Sequence, residues 1–234
     1  MQLNILSGGA AQSVVTALAE EFRTATGYEL AGTFSAVGEM KAKLLAGAPA
    51  DLVILTHALI AELAAGGQVL SDSCADLGRV RTGVAVRADE PLPDIASASA
   101  LRAALLAAEG IFFPDPQTAT AGIHFARVLD SLGIRDAVEA RLQTYPNGAT
   151  AMRALAQAKG ARLLGCTQVT EINNTPGVAL AGPLPPEFEL ATIYSIGVCA
   201  AAASPDAARR FAAILTGESS RALRTNAGFE LGTA

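Results

Sequence analysis

The sequence predicts an α/β fold in two lobes, each a parallel-rich sheet flanked by helices, and three observations point to it. Short apolar strands alternate with amphipathic helices almost from end to end. The run Asp51-Leu52-Val53-Ile54-Leu55-Thr56 is apolar throughout its interior, the pattern of a strand buried on both faces of a parallel sheet. After Gly66-Gly67 the alternation restarts without a low-complexity linker or an internal repeat, which fits two lobes joined by short crossings.

Leu3–Leu6 is the first strand, followed by a helix with the apolar stripe Val14, Leu18 and Phe22 and a stop at Gly27. Tyr28, Leu30 and Phe34 carry a second strand, and Met40 and Leu44 the helix after it. The Asp51–Thr56 strand leads into a helix bearing Leu59 and Leu63. This β-α-β-α-β-α order implies a doubly wound parallel sheet. The second set starts with the strand Val80–Val86 and a helix marked by Leu101, Leu105 and Leu106. The strand Ile111–Phe113, a helix through Phe125, Val128, Leu129 and Leu132, a helix around Met152 and Leu155, and the strand Arg162–Cys166 complete it. Thr192–Ala201 is apolar enough for a central strand, and Ser204-Pro205 opens a helix through Phe211 and Leu215. The expected division is residues 1–81 plus 193–234 for lobe 1 and 82–192, inserted, for lobe 2.

Composition excludes several functions. The 234 residues are 51% hydrophobic but only 5% aromatic, and no run reaches the ~18–20 apolar residues of a spanning helix. The mean hydropathy of +0.36 therefore reflects alanine, not a membrane segment. A net charge of -5 without a Lys/Arg cluster argues against nucleic acid as a partner. Cys74, Cys166 and Cys199 lie far apart with no CxxC and no histidine pair, so neither a disulfide scaffold nor a metal site is expected. The sequence carries no nucleotide or flavin fingerprint, and no cofactor is expected. Met1-Gln2-Leu3-Asn4-Ile5-Leu6 already has the pattern of a strand and lacks a basic region or a long apolar core. As written the chain is expected in the cytoplasm; removal of an export signal would place it in the periplasm.

Open α/β sheets bind ligands beyond the carboxyl ends of their strands, where helix N-termini converge. Three such junctions are built alike here: Ser7-Gly8-Gly9-Ala10, Ser35-Ala36-Val37-Gly38 and Thr118-Ala119-Thr120-Ala121-Gly122. Each offers small side chains, hydroxyls and backbone N–H groups at the positive end of a helix, which together suit an anion. The same residues also serve as ordinary caps and turns. The candidate ligand contacts are Ser7, Gly8, Gly9, Ala10, Ser35, Ala36 and Thr56 in lobe 1, with Arg81, Thr118, Thr120, Ala121, Gly122 and Gln168 beside them. If the chain is an enzyme, the groups able to move a proton are Glu171, His57 and His124.

Ala46-Gly47-Ala48-Pro49-Ala50-Asp51-Leu52-Val53-Ile54 resembles the G-A-P-A-D segment of periplasmic molybdate-binding proteins. Ala121-Gly122-Ile123 resembles their A-G-I, and Asn226-Ala227-Gly228-Phe229 their closing G-F. The resemblance implies a type II periplasmic-binding-protein fold with a ligand cleft, a small oxyanion as ligand, and a transporter partner if the chain is exported. That family holds its oxyanion with serine hydroxyls and a tyrosine. Ala10, Ala36 or Val37, and Gln168 stand near those positions here, which points away from molybdate itself. Arg81–Arg87, Gly182-Pro183-Leu184-Pro185 and Gln168–Glu171 resemble a divergent substrate-binding branch, to which aconitate isomerase is similar. Two functions follow: binding of an oxyanion or small carboxylate, or cofactor-independent isomerisation of an unsaturated di- or tricarboxylic acid.

Overall fold

A computed structural model describes residues Met1–Gly232. Thr233 and Ala234, at the end of the expected first lobe, lie outside the described residues. The chain divides into two compact units, one of Met1–Val80 with Thr192 onward, the other of Arg81–Ala191.

In the first unit β1 (Gln2–Gly8) leads through a 3-10 turn into α1 (Gln12–Ala17) and α2 (Ala19–Thr26). The single helix expected through Val14, Leu18 and Phe22 is thus two, interrupted where Leu18 adopts φ -89° and ψ -5°. Gly27 ends α2 at φ 75°, where its N–H reaches the Arg23 carbonyl; an L side chain there would be strained. Then follow β2 (Glu29–Ser35), α3 (Val37–Leu45), β3 (Leu52–Thr56) and α4 (His57–Ala65). β4 (Ala75–Arg87) carries the chain into the second unit.

The second unit continues with α5 (Ala98–Ala107), β5 (Gly110–Pro114), α6 (Thr120–Ser131), α7 (Arg135–Val138) and β6 (Leu142–Tyr145). After these come α8 (Gly148–Gln157), β7 (Leu163–Gln168), α9 (Val169–Asn173) and β8 (Val178–Pro183). β9 (Ala191–Val198) returns to the first unit, which α10 (Pro205–Thr216) and α11 (Arg221–Ala227) complete.

Each sheet is parallel at its centre and antiparallel where the chain crosses over. β1 runs parallel to β2 and β3, with Leu6 opposite Val53, whereas β9 joins β3 antiparallel, Ile196 opposite Ile54. In the second unit β5 lies parallel to β6 and β7, and β4 is antiparallel to both β7 and β8. The expected doubly wound parallel sheet therefore holds for the βα units but not for β4 and β9. Neither of those two arrives through a helical crossover from its sheet neighbour, so nothing enforces parallel pairing. β6 and β8 have no counterpart in the sequence reading. β6 is short and half polar, and β8 is alanine-rich and ends in Gly182-Pro183, so neither shows a strand period.

Packing follows the pattern of apolar positions. Phe22 of α2 meets Phe211 of α10 edge to face, ring centroids 5.1 Å apart. In the second unit α5 and α6 cover one sheet face, Phe125, Val128 and Leu101 packing on Val84, Val86, Leu164 and Cys166. α8 covers the other face, with Met152 and Leu155 on Ala85, Phe112 and Leu163.

The Ala48-Pro49-Ala50-Asp51 segment has a structural role. The Asp51 carboxylate is buried, accepting the Asn4 N–H at 2.8 Å and the Ser204 N–H at 2.9 Å. It ties β1 and the start of α10 to the head of β3.

Candidate functional site

In the second unit the parallel strands β5, β6 and β7 end on one edge, and α6, α8 and α9 begin there. α6 has twelve residues and starts without a side-chain cap, since Ala119 stands at its N-cap. Its first N–H groups have no intrahelical acceptor. Gly122 is required by close packing: a Cβ there would lie 2.3 Å from the Pro114 and Asp115 carbonyl oxygens. Thr118 is exposed and donates to the Asp115 carboxylate at 3.0 Å, which also accepts the N–H groups of Gln117 and Thr118. The Gln117 amide above all holds the Asp115 carboxyl below its usual range. Thr120 is half-buried and Ala121 buried at the first turn.

Thr82 of β4 stands directly opposite Gln168 of β7, so both side chains leave the same sheet face. Alternation assigns that face: Val84 and Val86, Leu164 and Cys166 all pack under α5 and α6. Gln168 is 3% exposed and Thr82 1%, yet neither amide atom of Gln168 nor the Thr82 hydroxyl has a hydrogen-bond partner. The buried hydroxyl of Thr170 is likewise unpartnered. Buried polar side chains are mostly satisfied, so orphans gathered at a strand end call for an external partner.

Glu171 lies beside this edge but is engaged. Its carboxylate accepts from the Thr167 hydroxyl at 2.5 Å and from the backbone N–H groups of Ala149 and Gln168. It joins the starts of α8 and α9, and a Cβ on Gly148 would lie 2.0 Å from it. Burial raises its pKa, against those hydrogen bonds. His124, on α6, meets the Phe188 carbonyl through Nε2 at 2.8 Å. A carbonyl only accepts, so Nε2 carries the proton. Arg81 pairs with Glu189 at 3.2 Å.

In the first unit the Ser7 hydroxyl is buried and donates to the Gly8 carbonyl at 2.9 Å. Gly8 ends β1 where a Cβ would lie 2.7 Å from Val37 and 3.2 Å from Tyr194. Gly9 and Ala10 form the turn before α1, with Ala10 buried. Ser35 donates to Glu39 at 2.5 Å, a bond that lowers the Glu39 pKa, and the N-cap Ala36 leaves α3 without a side-chain cap. Thr56 caps α4 by accepting the Leu59 N–H at 3.4 Å. The buried hydroxyls of Ser13 and Thr192 have no partner. His57 is exposed at the start of α4, its Nδ1 2.9 Å from Asp76, and the Ser195 hydroxyl donates to the same carboxylate oxygen at 2.5 Å. Ser195 and Asp76 both face Nδ1, so the histidine does not bridge them as a nucleophilic triad requires.

The structure thus brings Thr120, Ala121, Gly122 and Gln168 to one edge of the second unit, and Ser7–Ala10 with Ser35 and Ala36 to one edge of the first. It commits Glu171, His124, Arg81, Thr118 and Thr56 to internal partners. Sequence reasoning missed Thr82, Thr170, Ser13 and Thr192. For Thr82 a signal existed, a polar residue on the otherwise apolar face of Val84 and Val86. Among the described residues no His, Cys, Asp or Glu group could hold a metal ion. No described helix is long and apolar enough to cross a membrane.

The model of the family described as bacterial extracellular solute-binding protein matches residues 3–230. The chain is 29% identical over 216 residues to aconitate isomerase from Pseudomonas sp, covering 88% of this chain and 79% of that protein. Its fold is similar to that of the periplasmic molybdate-binding protein of Azotobacter vinelandii, with a TM-score of 0.82 at 20% identity over 99% of this chain and 100% of that one. It is also similar to the sulfate-binding protein SubI of Mycobacterium tuberculosis H37Rv, with a TM-score of 0.74 at 18% identity over 98% and 86% of the two chains.

Proposed function

The chain belongs to the bacterial extracellular solute-binding protein family, and from that premise we propose that it binds a small anion, an oxyanion or a small carboxylate. The observation that carries this reading is the second-unit edge, where the uncapped start of α6, packed on the end of β5, and the unpartnered, buried Gln168 amide at the end of the parallel β7 share one carboxyl edge of the sheet. Helix N–H groups and a neutral amide stabilise an anion without a fixed positive charge. Molybdate- and sulfate-binding neighbours of the same fold support the ligand class. The reading includes two lobes, residues 1–81 plus 193–234 and the inserted 82–192; the compact units Met1–Val80 with Thr192 onward and Arg81–Ala191 support it. The family's extracellular character supports export, and with it a transporter partner; fractionation of the native cells measures the location.

The likeness to aconitate isomerase supports a second reading, a cofactor-independent isomerase of an unsaturated di- or tricarboxylic acid. Such an enzyme needs a group to take a proton and a group to return one. The internal commitments of Glu171 and His124 favour binding over this reading. Incubation with cis- and trans-aconitate in D₂O, followed by NMR, separates the two. Binding without double-bond movement or deuterium uptake is the expected result. Turnover abolished by Glu171→Gln, His57→Asn or His124→Asn, with binding retained, would establish the isomerase instead.

A further inference from the structure

We propose that the site on the second unit selects anions that carry their own O–H group, a hydroxycarboxylate or a hydrogen-bearing oxyanion, over fully ionised ones without it. The inference rests on the anion-binding reading and deepens it. Its basis is the chemistry of the two orphaned side chains at the carboxyl end of β7. Gln168 has two faces: its Nε2 donates and its Oε1 only accepts. Both atoms are buried and unpartnered, so rotation of the amide by a half-turn exchanges them without satisfying either. Thr82, opposite Gln168 in the ladder and on the same face, adds a hydroxyl that both donates and accepts, and the structure forms no bond between the two. The start of α6, the helix covering that face, contributes N–H donors only.

An ionised oxyanion or simple dicarboxylate brings acceptors alone. It satisfies the helix N–H groups, Nε2 and the Thr82 hydroxyl, and leaves the Gln168 Oε1 unmet beside negative charge. A ligand with an O–H donates to that oxygen and completes the set. A site that leaves a buried polar group unpaired discriminates against the incomplete ligand, here by roughly tenfold to hundredfold.

Two matched pairs test this by titration calorimetry on the purified full chain: L-malate against succinate, and hydrogen phosphate against sulfate. The first pair represents a hydroxycarboxylate source of the O–H, the second an inorganic one. The hydroxyl-bearing member of at least one pair should bind roughly tenfold to hundredfold tighter. In Gln168→Met, which keeps the length and removes both polar faces, that ratio should fall to within about threefold while the O–H-free member still binds. The melting temperature of unliganded Gln168→Met should equal or exceed that of the parent, since an orphaned amide is removed; this also confirms that the variant folds. Thr82→Val should weaken both members of a pair together. Equal affinities within both pairs, or a ratio that survives Gln168→Met, would overturn the selectivity while leaving anion binding in place. Failure of all four probes to bind the parent would overturn the anion-binding reading, and the selectivity with it.

Discussion

Gly122→Ala tests whether α6 is seated against the strand end as described. The added Cβ would lie 2.3 Å from two backbone oxygens, those of Pro114 and Asp115, and side-chain carbons do not approach below 3.0 Å. Because both obstacles are backbone, the first turn of α6 must move by about 0.7 Å or more, away from the end of β5. Overpacking of this kind costs about 1–3 kcal/mol. Alanine is the better helix former by up to ~1 kcal/mol, which offsets part of that cost. The net loss is about 1–2 kcal/mol, or roughly 2–8 °C in melting temperature for a chain of this size. Thermal unfolding followed by circular dichroism reads the stability, and calorimetric titration reads anion affinity, which should weaken as the displaced N–H groups lose alignment. A melting temperature equal to or above that of the parent, with unchanged affinity, would refute the close seating of α6 and its place in the site.

Asp51→Leu should destabilise the first unit by about 1–3 kcal/mol in urea unfolding, because it removes the acceptor of the part-buried N–H groups of Asn4 and Ser204 together. Burial raises the Glu171 pKa above its ordinary value of 4.5, so the folded state holds that proton more tightly than the unfolded chain. The stability of the parent relative to Glu171→Gln should therefore fall as pH rises from 4.5 and level off above the folded pKa, measured by urea unfolding across that range; a rise would reverse the assigned cause. His57→Asn should change stability by no more than about 1 kcal/mol in the same assay, since its pair with Asp76 is solvent-exposed.

The fold was legible wherever burial imposes a period. Leu52–Leu55 is apolar because β3 is buried on both faces, and the stripe Phe125, Val128 and Leu129 repeats at helical spacing because α6 has one buried side. Edge strands such as β6 escaped because they bury little, and the antiparallel direction of β9 escaped because strand direction leaves no mark in side-chain alternation. The site was legible in part. Small residues and hydroxyls before Ala121 and after Ser7 mark strand ends, but a hydroxyl that caps a helix and one that awaits a ligand are the same residue in sequence. Thr56 proved to be a helix cap and Thr118 a turn donor to Asp115, whereas Thr82, hidden in a strand, stayed unpartnered. Likewise Glu171 has the composition of a proton-transfer group, and only its contacts with Thr167, Ala149 and Gln168 assign it to holding helix starts.

The most direct test of the central claim is an amide-resolved NMR titration of the full chain with a small anion, L-malate or hydrogen phosphate. Saturable shifts should be largest at the backbone N–H groups of Thr120, Ala121 and Gly122 and at the side-chain NH₂ of Gln168. Saturable shifts centred elsewhere, with these four groups unmoved, would contradict the site described above.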